Sequence, residues 1–195
     1  MASIAGYLTD FADQAVLLPL ATIVTVVFAA AGWWRGAVAW AIAIGATLGL
    51  VLLLKLVFLA CGHLLPFDTV HSPSGHTAAS GVTYGGLLAI MARLVTGRER
   101  WTLPCAISVA VVIALSRLAL GVHTVAEVGI GGLVGVCGAI LVTKLAGPPP
   151  PTLRLRTMAA AAVLVLVLFH GFRMPAEAAI RHLALSVWPL SACRR

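Results

Sequence analysis

The chain is short of charge. Only 10% of its 195 residues are Asp, Glu, Lys or Arg, against roughly a quarter in an ordinary soluble domain. Acids are scarcest, with six Asp and Glu against thirteen Lys and Arg. Aromatics are only 7%, so the 61% hydrophobic content is mostly Ala, Val, Leu and Ile. One soluble core cannot hide that much apolar surface, and the composition calls for lipid as solvent. Four cysteines (Cys61, Cys105, Cys137 and Cys193) are widely spaced with no Cys-x-x-Cys pair. That excludes a disulfide framework and the common zinc motifs, and the two inside apolar runs are expected to be packed there. The N-terminus has no basic stretch ahead of its first apolar run, so no cleavable signal is expected, and no lipidation motif is evident.

What remains is a series of apolar runs near the length that spans a bilayer. They lie at about Ala15 to Ala31, Gly36 to Ala60, Ser74 to Leu94, Trp101 to Leu118, Thr124 to Ala146 and Thr157 to Phe172. The expected fold is all-α: a polytopic membrane helix bundle with about six transmembrane helices, residues 1–195 forming one integral membrane domain. The fifth run is glycine-rich (Gly129, Gly131, Gly132, Gly135, Gly138), which suits close helix packing in lipid. Gly147 and four prolines separate the last two runs. Residues 1–14 read as an interfacial helix, and residues 175–187 as an amphipathic surface helix.

The net charge of +7 is formally compatible with nucleic-acid binding. The basic residues, however, sit in short loops between spans. Arg35, Arg93, Arg98, Arg100, Lys144, Arg154 and Arg156 collect on one side, which is the mark of a cytoplasmic face. No nucleic-acid partner is expected. The other side receives His63, His71, His76, Arg117, His123, Glu127 and both termini.

Polar groups gathered at one membrane face are costly unless they do something. Lys55, late in the second run, either snorkels to the interface or points a cation into a shared pocket. Pro73-Ser74-Gly75-His76 opens the third run. A helix starting there offers free N–H groups and the positive end of its dipole to an anion, and Gly75 permits close approach. Ser74 alone can be read as a helix cap, which would not require His76. Arg117 closes the fourth run with a planar fork suited to phosphate oxygens. His123 follows, and Glu127 lies four residues beyond it on the same helical face. A carboxylate on one ring nitrogen fixes the tautomer and leaves the other nitrogen to attack.

Lys55, Pro73-Ser74-Gly75-His76 and the run Ser116-Arg117 through His123 to Glu127 together resemble the three-part signature of the type 2 phosphatidic acid phosphatase superfamily. That superfamily includes lipid phosphate phosphatases, undecaprenyl pyrophosphate phosphatases, bacterial acid phosphatases and vanadium haloperoxidases. The resemblance covers about Leu50 to Ile130. It implies that His123 is the nucleophile and forms a phosphohistidine, that Glu127 orients it, and that His76 protonates the leaving oxygen and then activates water. It implies that Lys55, Ser74, Gly75 and Arg117 hold the phosphoryl oxygens, with no metal or other cofactor. Two positions depart from the pattern: Gly62-His63 stands where the family has Arg-Pro, and Glu127 where it usually has aspartate. His63 and His71 are candidate auxiliaries for the missing arginine. The chain also lacks a span ahead of the lysine-bearing pair and adds one after the third motif.

The expected activity is hydrolysis of a polyprenyl or glycerolipid phosphate or pyrophosphate, at the outer face of a bacterial inner membrane. The partners are then the phosphorylated lipid and the surrounding membrane lipids, and the sequence leaves the oligomeric state open. Two alternatives remain at this point: a phosphotransferase that passes the phosphoryl group to a second lipid, and a non-enzymatic His-rich membrane binding protein.

Overall fold

The computed structural model describes residues 3–61 and 72–187. The described chain is helical throughout, in the order α1 (Ile4–Asp10), α2 (Gln14–Ala30), α3 (Trp34–Cys61), α4 (Gly75–Ser80), a π-helical turn (Gly81–Gly85), α5 (Gly86–Thr96), α6 (Thr102–Ala119), α7 (Val125–Ala146), α8 (Leu155–Phe169) and α9 (Ala176–Val187). Five stretches are long and apolar enough to cross a membrane: Ile4–Ala30, Trp34–Leu59, Gly75–Thr96, Glu99–Ala119 and Val125–Ala146. The all-α membrane bundle is therefore as expected. The sixth run is shorter than its hydropathy suggests. The fifteen residues of α8 rise about 22 Å, short of a hydrocarbon core of about 30 Å. The Gly-Pro linker turns the chain inward before α8, so that Leu153 is already buried.

Helix α7 is the spine. It packs against α3, α4 and α6, and its small residues allow it. A Cβ on Gly135 would stand 2.6 Å from the Ala78 carbonyl oxygen, and one on Gly131 would strike the Ser74 carbonyl. Backbone meets backbone there, as the glycine stripe predicted. Gly129 takes no part, having open space around it. Cys137 also differs from expectation: it is exposed, facing away from this seam. On the other flank, Phe28, Trp33 and Trp40 form an edge-to-face aromatic cluster where α2 and α3 meet.

The two ends of the bundle differ in chemistry. At one end Arg35 donates to the Leu145 carbonyl, Arg93 to the Gly147 carbonyl, and Glu99 pairs with Arg93 and Lys144. At the other end lie the α1–α2 junction, the end of α3, the start of α4, the α6–α7 loop and the α8–α9 loop. The segment at residues 1–14 does more there than lie at an interface. Thr9 and Asp10 are buried, α1 packs on α6, and the Asp13 carboxylate caps α2. His170 stacks on Tyr7 and Phe11, and Arg173 bonds the Asp10 carboxylate at 2.8 and 3.3 Å, so the α8–α9 loop is sewn to α1.

Candidate active site

Glu127 organises this end. It is the third residue of α7, and Thr124 caps the helix in a reciprocal capping box with it. Its Oε2 accepts from the Thr124 amide and lies 3.0 Å from His123 Nδ1. Its Oε1 accepts from the Ser72 amide at 2.8 Å, and its backbone carbonyl accepts from the Ser74 amide at 3.0 Å. One residue therefore fixes the histidine ring and ties the second motif to the third. Burial lowers the His123 pKa below its ordinary value, and the hydrogen bond to Glu127 opposes that shift.

Ser74 is fully buried, and its Oγ accepts from the amide and hydroxyl of Thr77. It thus caps α4, and its own hydroxyl proton is still available to a further acceptor. Lys55 reaches the same place from α3. Its ammonium is 3% exposed and donates to Ser72 Oγ at 3.0 Å. A Cβ on Gly75 would touch Lys55 Cε at 3.4 Å, so the lysine stem runs alongside the start of α4. The snorkelling reading of Lys55 is replaced by a buried cation in a polar site. Its second contact is Glu177 Oε2 on α9, at 2.7 Å.

Arg117 ends α6. Its Nη1 donates to Thr9 Oγ1 at 3.3 Å, and Thr9 and Ser116 share a hydrogen bond at 3.1 Å. Arg117 Nε is buried with no hydrogen-bond partner among the described residues. A buried guanidinium N–H without an acceptor is an anion site in waiting. His76 lies within electrostatic reach of Arg117, Asp13, His123 and Lys55, and its carbonyl accepts from Ser80 Oγ. Lys55, Ser74, Gly75, His76, Arg117, His123 and Glu127 thus converge on one end of the bundle. The auxiliaries His63 and His71, and the Gly62-His63 departure, lie outside the described residues.

Four participants carry no signal in the motifs. Ser72 links Lys55 to Glu127. Thr9 positions Arg117. Asp13 places a negative charge near His76 and Arg117. Glu177 pairs with Lys55. Three of these four come from the chain's two ends, which only tertiary packing brings here. An apolar groove of about 520 Å³ runs between α1, α5, α6 and α8. Leu8, Phe11, Leu87, Met91, Val112 and Ile113 are among its walls.

Residues 59–148 match the family model described as the PAP2 superfamily. The match falls on the motif-bearing part of the chain and supports the type 2 phosphatidic acid phosphatase superfamily. Over nearly its full length the chain is also similar to a Klebsiella pneumoniae protein described as an uncharacterized 22.5 kDa protein in the cps region. The two are 28% identical over 187 residues, covering 92% of this chain and 90% of the relative. No solved structure matches.

Proposed function

We propose that the protein is an integral membrane phosphatase that hydrolyses a lipid phosphate or pyrophosphate through a phosphohistidine on His123. The observation that carries this reading is the His123 Nδ1–Glu127 Oε2 contact of 3.0 Å. It assigns the proton to Nδ1 and leaves Nε2 as the nucleophile. In the first step Nε2 attacks phosphorus, the bond from phosphorus to the leaving oxygen breaks, and His76 gives that oxygen a proton. In the second step His76 takes a proton from water, the water oxygen attacks phosphorus, and the P–N bond breaks to release phosphate. Lys55, Arg117, the Ser74 hydroxyl and the Gly75 amide hold the phosphoryl oxygens while charge builds on them. Arg117 Nε, buried and without a hydrogen-bond partner among the described residues, supports an anion site there.

The groove supports the lipid part of the reading. It is apolar and lies in the membrane-spanning part of the bundle, so it suits a substrate's hydrocarbon chain. The basic end of the bundle favours a cytoplasmic placement for that end, and hence an exterior or periplasmic site in a bacterial inner membrane.

The test is phosphate release from a panel of polyprenyl and glycerolipid phosphates by wild type and His123→Ala. Turnover is expected in the wild type and lost in the variant, with the fold intact by circular dichroism. Equal activity in both refutes the phosphohistidine. Labelled phosphate that passes to a second lipid instead of to water identifies a phosphotransferase.

A further inference from the structure

Lys55 is one of the cations assigned to substrate phosphate, yet its ammonium is already paired with an acid. Glu177 Oε2 lies 2.7 Å away, and the charge of Glu177 also falls on Arg117. A carboxylate in the first turn of a helix suits the dipole of α9, but that role does not require it to meet a buried lysine. The approach is built in. Arg173 is bonded to Asp10, and the Met174 amide donates to Asp13 Oδ1 at 2.9 Å, so the chain is pinned three residues before Glu177. Helix α9 then packs on α3, the helix that carries Lys55. The two partners differ in freedom. The Lys55 side chain is 3% exposed and that of Glu177 is 49% exposed, so the carboxylate reaches solvent where it stands while the ammonium does not.

We propose that Glu177 is a specificity-determining residue: its carboxylate competes with substrate for Lys55, so that the site admits terminal phosphate dianions and turns away monoanionic phosphodiesters. This rests on the phosphatase reading above. The membrane supplies the reason. A site that opens on lipid is surrounded by phosphodiester headgroups, each with one negative charge. Against an uncovered Lys55 and Arg117, those headgroups would bind as inhibitors. A resident carboxylate matches them in charge and has the advantage of being tethered. A phosphate monoester or terminal pyrophosphate brings a second charge and a third acceptor oxygen, enough to displace it. Affinity for the admitted substrate is lowered by the fraction of time that Glu177 holds the site.

Glu177→Gln and Glu177→Ala, in the full chain, test this in two arms. The first is orthophosphate binding, followed by phosphorus NMR without any turnover. Both variants are expected to bind about tenfold tighter than the wild type, a tenfold change being about 1.4 kcal/mol. The second arm is hydrolysis of a lipid phosphomonoester in neutral-lipid vesicles, with and without phosphatidylglycerol. The variants are expected to show a lower KM in neutral vesicles, with kcat moving less than KM. They are also expected to be inhibited by phosphatidylglycerol far more strongly than the wild type. If Glu177 instead holds Lys55 in position for the phosphate, its loss weakens or leaves unchanged the binding of orthophosphate, and that outcome overturns the proposal. Equal inhibition of wild type and variants by phosphatidylglycerol overturns the selectivity. A wild type that hydrolyses no lipid phosphate defeats the phosphatase reading, and the orthophosphate arm still judges Glu177 on its own.

Discussion

Replacing Glu127 by glutamine removes one charge while changing almost no volume, and its consequences can be worked out atom by atom. The carboxylate accepts at both oxygens: Oε2 from the Thr124 amide and on the His123 side, Oε1 from the Ser72 amide at 2.8 Å. Glutamine has one acceptor oxygen and one NH2. With its oxygen toward His123, its NH2 faces the Ser72 N–H, donor against donor. A buried donor left unpaired costs about 1–3 kcal/mol, which sets the expected loss of stability. The catalytic loss is larger. The variant can hold the ring but cannot balance the positive charge that His123 gains as phosphorus is attacked, so kcat is expected to fall about 10²- to 10⁴-fold. The pH profile gives an independent sign. In the proposed mechanism His123 attacks as the neutral base, and burial lowers its pKa while the Glu127 hydrogen bond and charge raise it. Deleting the raising contributions moves the pKa lower still. The acidic limb of kcat/KM, below the ordinary histidine value in the wild type, therefore shifts to more acidic pH in Glu127→Gln. Steady-state kinetics across pH, with histidine NMR titration alongside, measures both effects. A kcat within threefold of wild type, or a limb that moves to higher pH, refutes the assigned role of Glu127.

Two further outcomes follow from the packing and the topology. Gly135→Val puts a branched side chain where a Cβ alone stands 2.6 Å from the Ala78 carbonyl oxygen, so α4 and α7 must part. Overpacking of this kind costs about 1–3 kcal/mol, and a lowered midpoint of thermal unfolding is expected, whereas an unchanged midpoint shows that the seam is loose. Cysteines introduced at Val122, beside the site, and at Arg156, at the basic end, are expected to react with an impermeant thiol reagent from opposite sides. Val122→Cys reacts in intact cells and Arg156→Cys only after the membrane is opened; the reverse pattern inverts the orientation.

Most of the fold was legible because lipid imposes it: a helix that crosses a bilayer must be long and apolar, and those runs stand out. The exception, α8, has the hydropathy of a span but not the length: it ends at Phe169, and Gly171 turns the chain with a positive φ. The site was legible wherever its parts are local. Ser74 marks a helix start, and Glu127 lies four residues after His123, but α7 begins only at Val125, so that contact comes from the capping box at the start of α7 and not from a shared helical face. Thr9, Asp13 and Glu177 were missed for the opposite reason. Each sits in a short amphipathic stretch, where a polar residue is equally at home in water. Only the packing of the chain's two ends, α1 on α6 and α9 on α3, brings these residues to the site. Ser72 lies next to a motif, but its two bonds reach Lys55 and Glu127, far from it in sequence.

The joint between Ser74 and α7 has a consequence for the way variants of this protein are interpreted. The Ser74 amide hangs on the Glu127 carbonyl, and the Ser74 carbonyl lies against Gly131, with no side chain between the two backbones. The proposed phosphate cradle and the proposed nucleophile therefore share a single mechanical reference, and the glycine seam below them sets its spacing. A widening of that seam at Gly135 or Gly138, one or two turns away, would reach His123 as a change of angle while every motif residue stayed intact. Loss of activity in such a variant measures the alignment of two helices, and the chemistry acts as the gauge.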